Sequence, residues 1–90
     1  MTPDDERIAT AITRLLAQRP TDATICPSEV ARALAEDEAS WRALMPEIRR
    51  VAADLANAGD LRVTARGQVV DATKAGGPIR LGRVSPDRSA

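Results

Sequence analysis

An α+β fold of the winged helix-turn-helix type, with three helices and a two- or three-stranded antiparallel hairpin sheet, is what this sequence predicts. Three observations lead there. Over residues 48–56 apolar side chains recur at Ile48, Val51, Ala52, Leu55 and Ala56, the spacing of a helix with one buried face. Directly afterwards the period falls to two: Leu61 and Val63 alternate with Arg62 and Thr64, and Arg66-Gly67 offers a turn before Gln68-Val69-Val70. Two further helix patterns come earlier in the chain, so the order is three helices and then a hairpin.

The elements can be justified in turn. Thr2 suits an N-cap, Pro3 the first helical position and Asp5 the third position of a capping box. Ile8, Ala11, Ile12, Leu15 and Leu16 then make the apolar stripe of a first helix, which Arg19-Pro20 ends. Thr24-Ile25 reads as a short strand pairing with the later hairpin. Pro27 opens a second helix, with Val30, Ala33 and Leu34 expected on its inner face. Residues 41–44 read as a short separate turn, with Trp41 plugging the junction between helices. The third helix is expected to start afresh at Pro46, because a residue before proline avoids the α region. Gly59 fits its C-cap. With a two-residue Arg66-Gly67 loop, Ala65 pairs with Gln68, Thr64 with Val69 and Val63 with Val70. That register puts Leu61, Val63 and Val70 on the core face and Arg62, Thr64 and Val69 outside. Arg is not favoured at the first position of such a turn, so a four-residue loop competes.

Ninety residues make one small domain. Hydrophobic residues are 43% of the chain but aromatics only 1%, so the core is built of Ala, Leu, Ile and Val and leaves no room for a large ligand cavity. Net charge is zero, yet unevenly spread: residues 1–47 hold five Arg against nine acids, and residues 48–90 eight basic residues against four Asp. The C-terminal half therefore offers a basic face, without the long-range field that gathers polyanions. A lone Cys26, no signal-peptide pattern and no long apolar run read as cytoplasmic, with no membrane role.

The residues offer little to an enzyme. Histidine, the commonest general base near neutral pH, is absent. Cys26 has no basic partner in sequence and reads as a small capping or buried residue. Glu36-Asp37-Glu38 points in several directions on any regular backbone, so no metal or other cofactor is expected. Duplex DNA has a better geometric case. At 100° per residue the outward face of the third helix carries Arg50, Ala53 and Asn57, flanked by Arg49. Arginine can bridge guanine and Asn adenine in a major groove. Arg62 and Arg66 would meet phosphate from the hairpin. Against this, Glu47 and Asp54 share that helix surface and repel phosphate.

Cys26-Pro-Ser-Glu-Val-Ala-Arg-Ala-Leu34, Trp41-Arg, Leu44-Met-Pro46, Ile48-Arg49, Val63-Thr64, Gly67, Val70-Asp71 and Gly77-Pro-Ile-Arg-Leu-Gly82 carry a resemblance. Over most of residues 5–82 the chain resembles a small bacterial winged-helix family of unknown function. The resemblance implies a winged helix-turn-helix and no established activity, transfers no catalytic residue, and places residues 77–82 within the domain. Residues 1–75 are thus expected to form the winged-helix domain. Residues 76–90 form a C-terminal extension, with 77–82 docked on the domain and 84–90 flexible. The expected function is regulatory duplex DNA binding through Arg49, Arg50, Asn57, Arg62 and Arg66. The alternative is a protein-interaction module, with a protein partner or as a homodimer, using the same surface.

Overall fold

The structure, a computed structural model, describes residues 2–84. Three helices, α1 (Pro3–Ala17), α2 (Pro27–Leu34) and α3 (Glu38–Asn57), pack on one face of a four-stranded antiparallel sheet. The strands are β1 (Thr24–Ile25), β2 (Arg62–Ala65), β3 (Gln68–Val69) and β4 (Arg80–Gly82), in the spatial order β1-β4-β2-β3. This α+β arrangement is consistent with a winged helix. It has one strand more than the two or three expected.

Local chemistry explains where the helices begin and end. The Thr2 hydroxyl accepts from the Asp5 backbone N–H at 3.1 Å, and the Asp5 carboxylate accepts from the Thr2 N–H at 3.3 Å, completing a capping box. At α2 the Glu29 carboxylate accepts from the Cys26 N–H at 2.9 Å. At α3 Asp37 caps, accepting from the Ser40 N–H at 3.0 Å and its hydroxyl at 2.7 Å. That cap starts α3 well before Pro46, so there is one continuous helix rather than a turn and a fresh start at the proline. Pro46 and Arg42 are both exposed, and water can satisfy the Arg42 carbonyl that loses its usual N–H partner. The far end closes as a Schellman motif: Asp60 N–H bonds the Leu55 carbonyl at 2.9 Å, and Gly59 N–H the Ala56 carbonyl at 3.0 Å. Gly59 takes the φ of +83° that this motif needs.

The core lies between the helices and the sheet. Ile25, Leu81 and Val63 stand side by side across β1, β4 and β2 and face Ile8, Ile12, Val30, Ile48 and Val51. On α2 Pro27, Val30 and Ala31 are buried and Leu34 packs against the core, so Val30 and Leu34 lie inside as expected while Ala33 is exposed. The hairpin takes the two-residue register, pairing Thr64 with Val69 and Ala65 with Gln68, and Val70 N–H bonds the Val63 carbonyl at 3.0 Å.

β4 lies inside the sheet, paired with β1 on one side and β2 on the other. Consequently β1 pairs with β4 and not with the hairpin, and residues 80–82 are part of the sheet rather than an extension laid upon it. Ile79 and Leu81 are fully buried. The expectation of a flexible 84–90 falls, beyond Val84, outside the described residues.

Candidate nucleic-acid interface

On α3 the two arginines expected in a DNA groove are turned inward, to protein partners. Arg49 donates from Nη1 to the carbonyls of Ala72 at 3.2 Å and Ala75 at 2.9 Å, and from Nη2 to that of Gly77 at 2.7 Å. It thereby holds the turn that leads into β4. The Asp71 carboxylate stiffens that turn, accepting from the Thr73 N–H and hydroxyl at 2.8 and 2.6 Å. Arg50 grips Asp5 of α1 through two bonds at 2.6 and 3.2 Å, and Glu47 at 2.8 Å, with Asp54 at 3.8 Å. Asp5 is only 5% exposed, and the Arg50 hydrogen bond is the main reason its carboxyl is lowered from 3.8 to about 2. The same contact raises the Arg50 pKa. Around Arg50 there are thus three carboxylates for one guanidinium, a local excess of negative charge. Ala53, expected outside, is buried. Asn57, the last residue of α3, is exposed.

The sheet presents the opposite electrostatics. Its strands carry Arg62 and Arg80 and no carboxylate. The register puts Thr24, Gly82 and Arg62 in one row of the outer face, and Arg80, Thr64 and Val69 in the next. Arg62 and Arg80 are therefore diagonal neighbours, with Cα atoms about 7–8 Å apart. Arg80 lies along β1, donating from Nε to the Thr24 hydroxyl at 2.7 Å and from Nη2 to the Thr24 carbonyl at 3.0 Å. At the hairpin tip Arg66 is exposed with φ +54°, followed by Gly67 at φ +81°. Both signs fit a type I′ turn, which favours Asn or Asp at the first position. A cleft of about 340 Å³ opens on this face, floored by Gly82 and flanked by Thr24, Arg62 and Thr64.

Of the five residues singled out in the sequence, Arg62 and Arg66 thus stand on the hairpin and Asn57 is exposed, while Arg49 and Arg50 hold the fold together. The structure adds Arg80, Thr24 and Thr64 to the hairpin's basic face. Their signal lay in the matching patterns Arg62-Val-Thr and Arg80-Leu-Gly, which only strand pairing brings together.

Trp41 is half-buried against the core, with the guanidinium carbons of Arg32 and Arg42 at 4.8 and 5.3 Å from its ring centre. The Cys26 thiol lies 3.1 Å from the Ser28 hydroxyl and 3.5 Å from the Glu29 carboxylate, at the start of α2. The Glu29 carboxyl is lowered chiefly by the Cys26 backbone N–H, with further help from Arg19 at 2.6 Å. Among the described residues no cluster of His, Cys, Asp or Glu is placed to hold a metal ion, and no helix is long and apolar enough to cross a membrane.

The chain belongs to the family described as "Protein of unknown function (DUF3253)", whose model matches residues 5–84. The match runs through α1 to β4 and so includes both the Arg49 turn and the sheet face. No curated protein matches the chain.

Proposed function

We propose that this chain is a nucleic-acid-binding module of a regulatory kind, not an enzyme, and that it holds the backbone of duplex DNA with the outer face of its sheet and the hairpin tip. The observation that carries this reading is the segregation of charge. Strands β2 and β4 offer Arg62 and Arg80 with no carboxylate beside them on any strand, and Arg66 extends the same charge to the tip. On α3, in contrast, Glu47, Asp54 and Asp5 surround Arg50. Phosphate contacts fix orientation without reading sequence. The base contact in this reading falls to Asn57, whose amide can bridge adenine. Arg66 adds weight, because it occupies a left-handed position where Asn would sit with less strain.

Titration of random duplex DNA at two salt concentrations tests the proposal. Three neutralised phosphates give a log–log slope of roughly −2.7, and binding is weak because the chain has no net charge to steer it. A second reading is favoured by one observation: Val69, on the edge strand β3, is 69% exposed. An exposed valine on a free strand edge suits a protein partner or a second copy of the chain. No complex with duplex at low salt, even at high protein concentration, overturns the DNA reading and leaves this one.

A further inference from the structure

Arg19, Arg49, Arg50, Arg62 and Arg83 are all half-buried. Four of them are matched inside the protein: Arg19 by Glu29, Arg49 by three carbonyls, Arg50 by Asp5 and Glu47, and Arg83 by the carbonyls of Leu16 and Arg19. Arg62 has no hydrogen-bond or ion-pair partner among the described residues. Partial burial strips water from a guanidinium, and the other four are compensated by oxygen acceptors. Arg62 instead keeps its donors for an acceptor from outside.

Its surroundings select the acceptor. Arg62 lines the cleft of about 340 Å³ on the outer sheet face, together with Thr21, Thr24 and Thr64. Gly82 floors it, and a Cβ there would stand 3.1 Å from the Thr24 methyl carbon, so any side chain would crowd the space. Thr24 accepts from Arg80 at 2.7 Å, which leaves its own hydroxyl hydrogen to donate. A guanidinium fork beside two or three threonine hydroxyls matches a tetrahedral oxyanion. We infer that the cleft over Gly82 seats one phosphate group, bound by Arg62 and by the hydroxyls of Thr24 and Thr64. Asp22 at the lip opposes the anion and keeps the affinity modest. The phosphate can belong to a nucleic-acid backbone or to a small phosphorylated molecule, and the first source rests on the DNA reading above.

The test is amide-resolved NMR of the full chain at constant ionic strength, first with inorganic phosphate and then with duplex DNA. Phosphate should shift the Thr24, Thr64 and Gly82 amides saturably. Arg62→Gln should weaken that response roughly tenfold, Arg62→Lys less, and Asp22→Asn should strengthen it. Arg14→Gln removes an exposed α1 arginine of equal charge and should change nothing. Equal losses from Arg14→Gln and Arg62→Gln, or shifts spread evenly over the chain, overturn the seat. If the duplex shifts the same amides and Arg62→Gln weakens it, the phosphate is a backbone one. If phosphate binds through Arg62 and the duplex does not bind, the seat stands for a small molecule and the DNA reading fails. If the duplex binds and Arg62→Gln leaves both titrations unchanged, the seat fails and the DNA reading stands.

Discussion

Arg49 and Arg50 on α3 and Arg62 and Arg66 on the β2–β3 hairpin are the same side chain put to opposite uses. The first pair turns inward, to three carbonyls of the 72–77 turn and to Asp5 of α1. The second pair has no internal partner among the described residues. A guanidinium binds whichever acceptor it meets first: α3 is surrounded by carboxylates and turn carbonyls, while on the strands Arg80 meets only Thr24 and Arg62 meets no acceptor among the described residues. What separates a structural arginine from an available one is therefore the acceptors that the fold brings near it, not its place on an amphipathic pattern.

The largest effect should come from removing what Arg49 holds in place. Deleting residues 76–90 takes away β4 from between β1 and β2, together with Ile79 and Leu81. Each buried side chain is worth about 1.5–3 kcal/mol, and β1 would lose its partner strand as well. Against a total stability of about 5–15 kcal/mol, the truncated chain should show no sharp thermal transition by far-UV circular dichroism. A cooperative melt would mean that the helices fold without the sheet's inner strand.

Arg49→Ala comes next, at a cost of about 2–4 kcal/mol, since three charge-assisted bonds go and carbonyls lose their donor. Arg62→Ala should lie within about 0.5 kcal/mol of the parent, because this half-buried guanidinium has no internal bond to lose. Urea denaturation of the two variants measures the contrast directly. Equal costs would mean that Arg62 has an internal role too, and the two sides of the molecule would not differ as described.

Asp5 offers a test through pH. Its carboxyl is lowered from 3.8 to about 2, so the stability that this group adds is fully present above about pH 4. It is lost as pH falls through the folded value near 2, because the unfolded chain then binds the proton more readily. The difference in melting temperature between parent and Asp5→Asn should shrink steadily from pH 4 to pH 2. The carboxyls of Glu29, Asp37 and Asp71 are also lowered, by the Cys26 N–H, the Ser40 hydroxyl and the Thr73 hydroxyl respectively, but they are common to both proteins. A constant difference would mean that Arg50 does not hold Asp5 as an ion pair.

Local signals in the sequence were legible where the structure is local. The Thr2–Asp5 capping box and the Gly59 cap depend on residues within a few positions of each other and read directly from residue type and spacing, whereas the hairpin register stayed open between a two- and a four-residue loop because Arg66 disfavours the tighter turn. Long-range partners were not legible. Nothing about Arg50 announces Asp5, 45 residues earlier in the chain, and nothing about Arg49 announces three carbonyls beyond residue 71. The pattern Arg80-Leu81-Gly82 reads as extended chain, but its place between β1 and β2 is a matter of tertiary pairing. Pro46 misled because a proline's effect depends on where the helix is nucleated, and the Asp37 cap had already set that. The basic face was half visible: Arg62 and Arg66 stand out in the hairpin, and Arg80 joins them only once β4 is paired.

Arg66 separates stability from binding more cleanly than any other position. It holds φ +54° in a type I′ turn, a region that costs an L-residue with a long side chain about 1–2 kcal/mol and Asn less. Arg66→Asn should therefore stabilise the protein, by up to about 1 kcal/mol, or several degrees in melting temperature for a domain of this size. The same change removes one phosphate contact, so the salt slope for duplex DNA should flatten by about 0.9 and all sequences should weaken alike. Thermal melts and the two-salt titration on one variant read both effects. A gain in stability with an unchanged slope would place Arg66 off the DNA. A loss of stability would show that its guanidinium supports the hairpin, as Arg49 supports the turn, and the tip would then belong with the structural arginines of α3.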